Sequence, residues 1–175
     1  HKLTHSFPTR RSSDLVASAY AAWDADPCNV SAANGVTRAI TKVLHDLTSA
    51  GSQLTYLTVV GGDDILPMGR VPDLTRVANE AEYAATFGST GNPMSAAQAG
   101  GYTLTDDAYG DPNPVALGTG TALFVPRISV GRLVEAPGQI QAALAAYRAS
   151  EGVLATGTAL VSGYDFLADG ATAVA

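Results

Sequence analysis

The run L-T-Y-L-T-V-V at residues 54–60 constrains the fold of this 175-residue chain more than any other segment. β-branched and aromatic side chains dominate it, it carries no charge, and it is too short for a typical helix. It predicts a strand buried on both faces, as in a parallel sheet. The run stops at Gly61-Gly62-Asp63-Asp64, which is turn chemistry, with the two acids shaping the turn and capping the next segment. Just before it, Val36, Ala39, Ile40, Val43, Leu44 and Leu47 recur at the spacing of one helical face. Gly51 is placed to end that helix as a left-handed cap residue.

The same alternation continues along the chain. Pro72 and Asp73 introduce a helix predicted over residues 74–87, with Asp73 as N-cap. Residues 88–101 read as a loop with a short helical turn. A second strand is expected at 123–130, bent by Pro126. Pro137 opens a helix at a position that needs no amide donor, with Ile140, Leu144 and Tyr147 as its buried stripe. A third strand is expected at 159–162 and a last helix near 168–175. Alternating helices and strands define an α/β class with a layered, mainly parallel sheet. In such folds sites gather at the carboxyl ends of strands. That rule selects residues 61–67, 131–135 and 163–169, joined by the acidic loop 106–111.

Composition narrows the function. Hydrophobic content of 46% with 15% charged residues describes a folded chain rather than a disordered one. Alanine is abundant and aromatics are few, so helices are expected to pack closely on small side chains. A net charge of −6 with no basic stripe argues against a nucleic-acid partner. No apolar run reaches the roughly 18–20 residues that span a bilayer. A single cysteine rules out an internal disulfide framework.

Residues 1–15 stand apart. They are polar and basic, lack an apolar period, and lack the apolar core of a secretory signal. They resemble translated adapter sequence and are expected to be a non-native tail, with residues 16–175 forming the folded part. His45 is then the one native histidine and Lys42 the one native lysine.

Four strings, in order, carry a family resemblance. They are T-V-V-G-G-D-D-I-L-P (58–67), L-T-D-D-A-Y-G-D (104–111), V-P-R-I-S-V-G-R-L-V-E-A-P (125–137) and L-V-S-G-Y-D-F-L-A-D-G-A (160–171). Order and spacing resemble the front half of the gingipain-type cysteine peptidases. The resemblance implies a three-layer α/β sandwich of caspase-like fold with flavodoxin-like topology, here incomplete. It also implies a protein or peptide substrate for the full-length protein, and secretion or display at the cell surface. That family works through a thiolate that attacks the scissile carbonyl and an imidazole that handles protons. Its His lies in a G-H-G segment and its Cys ends a later strand. Both are expected downstream of Ala175, in a C-terminal subdomain of the same chain. No catalytic residue is therefore assigned within these residues, and the piece alone is expected to be inactive.

The remaining candidates rest on residue chemistry. Cys28, in D-A-D-P-C-N-V, reads as an incidental thiol, and His45 as a solvated histidine on a helix flank. Asp106, Asp107 and Asp111 lie in one Gly-containing loop and could offer calcium its oxygen ligands, although EF-hand spacing is absent and turn formation explains them as well. No other cofactor is required. Asp165 and Asp169 follow the third expected strand, near where Arg-specific relatives place the carboxylate for a basic side chain of the substrate. Helix capping is their simpler role. Arg132 is expected to make a structural ion pair or carbonyl contacts. A phosphorylated receiver domain lacks its later strand-terminal Lys here, and both glycine-rich nucleotide motifs are absent. The rival class is a non-enzymatic scaffold or adhesion module of a larger surface protein.

Overall fold

A computed structural model describes residues 10–51, 53–87, 92–118, 121–134, 136–153, 157, 161 and 168–174. The chain divides into two compact units, His1–Glu135 and Ala136–Ala175.

The first unit begins with a helical hairpin. Helix α1 (Arg10–Ala25) starts within the basic first fifteen residues, and α2 (Val30–Ser49) comes next. Asn29 starts α2 because its side chain accepts the Ala32 amide at 3.0 Å, satisfying one of the orphan donors of the first turn. The apolar face of α2 buries Ala33, Val36 and Ala39, and Trp23 of α1 packs against Ala33 and Val36. The small side chains Ala19 and Ala32 border that cluster, as the alanine-rich composition implies. Trp23 is 4% exposed and its indole N–H donates to the Pro27 carbonyl at 2.9 Å. Truncating such a residue to Ala typically costs about 3–5 kcal/mol. Gly51 does follow α2 with φ +98°, the left-handed conformation that suits glycine.

Strand β1 (Tyr56–Val60) pairs in parallel with β6 (Ser129–Leu133), with Thr58 opposite Gly131 and Val59 opposite Arg132. Burial on both faces is not what the strand shows. Leu57 and Val59 turn inward, while Tyr56, Thr58 and Val60 are exposed. The alternation means that, among the described residues, one face of β1 is packed and the other is open, and β6 is its one ladder partner there.

β2 (Gly69–Pro72) pairs antiparallel with β3 (Tyr102–Thr105). The helix expected from residue 74 begins later, as α3 (Glu80–Phe87). Asp73 still serves its start, accepting the Glu80 amide at 2.8 Å from seven residues away. Asn79 accepts the Glu82 amide at 2.9 Å, and the Glu82 carboxylate accepts the Ala78 amide at 3.1 Å. This reciprocal pattern resembles a capping box. The helical turn in the following loop is α4 (Pro93–Ala99), with Asn92 as its N-cap. Asp107–Gly110 forms α5. The expected strand at 123–130 is two strands in two sheets. β5 (Ala122–Leu123) pairs with β4 (Val115–Ala116), and β6 starts only at Ser129. Pro126 lies between them, where its missing N–H cannot serve a ladder.

The second unit contains α6 (Pro137–Ala149) and α7 (Ala168–Val174). Pro137 opens α6 as expected. Its predicted stripe is not buried: Leu144 is 47% and Tyr147 62% exposed. The strand expected at 159–162 lies almost wholly outside the described residues. The molecule is thus mixed α and β, with the described strands in three two-stranded sheets, of which only β1–β6 is parallel.

Candidate functional site

Two arginines organise the end of the β1–β6 sheet and the loops around it. Arg132 lies within β6 rather than after it, which places Gly131 and Arg132 in the strand and not in a following loop. Its Nε and Nη2 donate to the two oxygens of Asp106 at 2.7 and 2.6 Å, and its Nη1 donates to the Gly61 carbonyl at 2.6 Å. This is the planar fork that guanidinium offers a carboxylate. Burial works against the Arg132 charge, but Asp106 outweighs it and holds the group above its ordinary pKa. The expected role of Arg132, ion pair and carbonyl contact together, is the one it plays.

The second arginine was not legible as a site residue. Arg70 of β2 donates from Nη1 and Nη2 to the two oxygens of Asp63 at 2.8 and 2.6 Å, with both side chains 1% exposed. Asp63 also accepts the Met68 amide at 2.8 Å, so it shapes its turn as expected and neutralises a buried cation as well. A signal existed: Arg70 sits in the otherwise uncharged stretch I-L-P-M-G-R-V-P, and a charge in such a run needs a partner.

Between these locks sits Tyr109. Its hydroxyl donates to the Pro67 carbonyl at 2.6 Å, and the same carbonyl accepts Thr37 Oγ1 at 3.1 Å. Burial pushes the phenol up to about 12. Thr41 of α2 donates to the Ala108 carbonyl at 3.0 Å, tying α5 to the helix behind it.

The three loop acids go to different partners. Asp106 is held by Arg132. Asp111, 4% exposed, accepts the amides of Asn113 and Val125 at 3.0 and 2.7 Å. Asp107 is exposed in the first turn of α5. Among the described residues no group of three or more His, Cys, Asp or Glu is arranged to hold a metal ion. Asp165 lies outside the described residues. Asp169 is exposed in the first turn of α7, where its carboxylate accepts the Gly170 amide at 2.8 Å.

Cys28 and His45 do not meet. Cys28 is exposed in the α1–α2 connection. His45 is exposed in the second half of α2, with Nδ1 3.8 Å from Asp46. Fifteen residues of helix separate His45 from the first turn beside Cys28, a rise of about 22 Å. The site as it stands is therefore a set of satisfied polar locks. Among the described residues no buried side-chain nitrogen or oxygen lacks a partner.

Fold and site together define a mixed α/β protein whose strand-end loops are clamped by two arginine–carboxylate forks. Comparison with family models, with curated proteins and with solved structures finds no match to this chain. Among the described residues no helix is long and apolar enough to cross a membrane.

Proposed function

We propose that this chain is the front, supporting part of a gingipain-like cysteine endopeptidase with a three-layer, caspase-like α/β sandwich. One observation supports the reading. Arg132 of V-G-R joins Asp106 of T-D-D-A-Y-G-D and Gly61 of V-V-G-G through its own hydrogen bonds, across 26 and 71 residues of sequence. Strings met separately in the sequence thus act as one unit at one end of the β1–β6 pair. That is how motifs behave when they hold a shared site.

In this reading the forks fix the strand ends across which a peptide would lie. The nucleophilic thiolate and its imidazole partner come from the chain downstream of Ala175, which also completes the parallel sheet. Asp165 and Asp169 are proposed, from the resemblance alone, as the carboxylates for a basic substrate side chain. A calcium ion at Asp106, Asp107 and Asp111 would have to displace Arg132 and two backbone amides, so calcium is a lesser part of the proposal. The resemblance of the motifs, on which this reading rests, would put the protein at the cell surface or in the secreted fraction.

The test uses the full reading frame. A G-H-G segment and a strand-terminal Cys are expected beyond Ala175. The full-length protein is expected to cleave Arg- or Lys-terminated peptides, with and without calcium, and to lose this on replacement of that Cys. The 175-residue chain alone is expected to be inactive. A full frame lacking both residues would favour the scaffold or adhesion class instead. Thiol-dependent hydrolysis by the short chain that vanishes in Cys28→Ala would sink the assignment of the dyad.

A further inference from the structure

We propose that the cleft between α2, β2 and the 108–124 region binds a small organic acid, its oxyanion head on Arg38 and its apolar body against Val71, Pro72, Pro114 and Phe124. The cleft encloses about 550 Å³, within the range of sites for small molecules. Its walls are mostly apolar, and Phe124, Val71 and Pro72 are half-buried in them.

Charge on α2 selects the ligand. Arg38, Lys42 and His45 all line the cleft and follow one another at helical spacing, so they share a face. Lys42 is already paired with Asp46 at 3.0 Å. Arg38 is exposed and makes no ion pair or hydrogen bond among the described residues. Arg70 and Arg132, by contrast, are both spent on carboxylates. Thr37, Thr41 and Asn34 of the wall are committed too. Thr37 and Thr41 donate to carbonyls, and Asn34 exchanges hydrogen bonds with the Arg70 backbone. Asp111 reaches the cleft, but both of its oxygens accept backbone amides. A guanidinium with an unused fork beside an apolar hollow is complementary to a carboxylate or phosphate monoester carrying a hydrocarbon group. The site does not depend on the peptidase reading, since none of the residues that carry it belongs to the strand-end locks.

Calorimetric titration of the 175-residue chain with phenylacetate, phenyl phosphate and neutral phenylacetamide tests this. At least one acid is expected to bind with a Kd of about 1 mM, the strength of a fragment-sized ligand, and the better acid identifies the head group. The amide is expected to bind at least tenfold more weakly. Arg38→Gln should weaken the acid about tenfold, with Arg38→Lys intermediate because it keeps the charge and loses the fork. Arg38 is exposed, so both variants should keep the parent circular dichroism and Tm. Ala122→Leu should weaken acid and amide alike by narrowing the hollow, while Arg148→Gln on α6 should change nothing. Equal binding of acid and amide, unchanged affinity in Arg38→Gln, or no heat from either acid would overturn the proposal.

Discussion

Asp63 and Arg70 show what a buried charge demands of its neighbours. Each side chain is 1% exposed, and each is the other's counter-charge. The pair is weak evidence of net stabilisation, because desolvating two ions offsets most of their attraction. Breaking it is another matter. Asp63→Asn or Arg70→Met alone is expected to cost about 3–5 kcal/mol in urea unfolding, by stranding a charge or its donors in the interior. The double variant should cost clearly less than the sum of the two, and strict additivity would show that the pair is not coupled. Tyr109 supplies a pH signature at the same scale. Its folded-state pKa is raised from 10.0 to about 12 by burial. Below pH 10 the phenol is protonated in both states and its contribution is fully present. Between pH 10 and 12 the unfolded chain loses the proton first, so stability falls by roughly 2–3 kcal/mol across that window. Tyr109→Phe should flatten this alkaline slope while costing only about 1 kcal/mol at neutral pH, since the Pro67 carbonyl keeps Thr37 as a donor. An unchanged slope in the Phe variant would remove Tyr109 as its source.

At the scale of elements, glycine in Y-G-D has a steric cause. A Cβ on Gly110 would sit 2.6 Å from the Ile128 carbonyl oxygen and 2.9 Å from Pro126 Cβ. The Gly110 carbonyl itself accepts the Arg127 and Ile128 amides at 3.0 and 3.3 Å, so α5 and the approach to β6 touch backbone to backbone. Gly110→Ala should lower stability by about 1–3 kcal/mol, read as a drop in Tm. Gly131→Ala, with open space around its Cβ position, should cost less, and equal losses would refute the close-approach explanation. Elements with a local signature were legible: α2 from its apolar face, α6 from Pro137, the end of α2 from Gly51. β3 was not, because Y-T-L-T is only four residues long, sits between Gly101 and the acidic turn at 106–107, and becomes a strand by pairing with β2. The start of α3 was misplaced because Asp73 caps it across an intervening loop, where local patterns point to the residues immediately after it. Hairpin β4–β5 leaves Val115 and Leu123, paired across its ladder, 54% and 49% exposed, which alternation in the sequence does not foretell.

For the whole molecule, the division after Glu135 is the main organising fact. The Trp23 cluster, the β1–β6 pair and both arginine forks all lie within His1–Glu135. A chain ended at Glu135 should therefore keep a buried Trp23 emission and a cooperative unfolding transition, and loss of cooperativity would show that the first unit needs the second. The sequence by itself determined the mixed α/β character, the buried face of α2, the turn at 61–64 and the structural employment of Arg132, but not the face of α6. Each comes from local periodicity, from turn chemistry, or from a charge that needs a partner. Only the tertiary structure decided that β1 is covered on one face, that the run 123–130 divides between two sheets, and that Arg70 belongs to Asp63. It also decided that Asp106 and Asp111 go to different donors. Those outcomes depend on which segments meet in space, and a side chain's burial and its partner are set by neighbours tens of residues away.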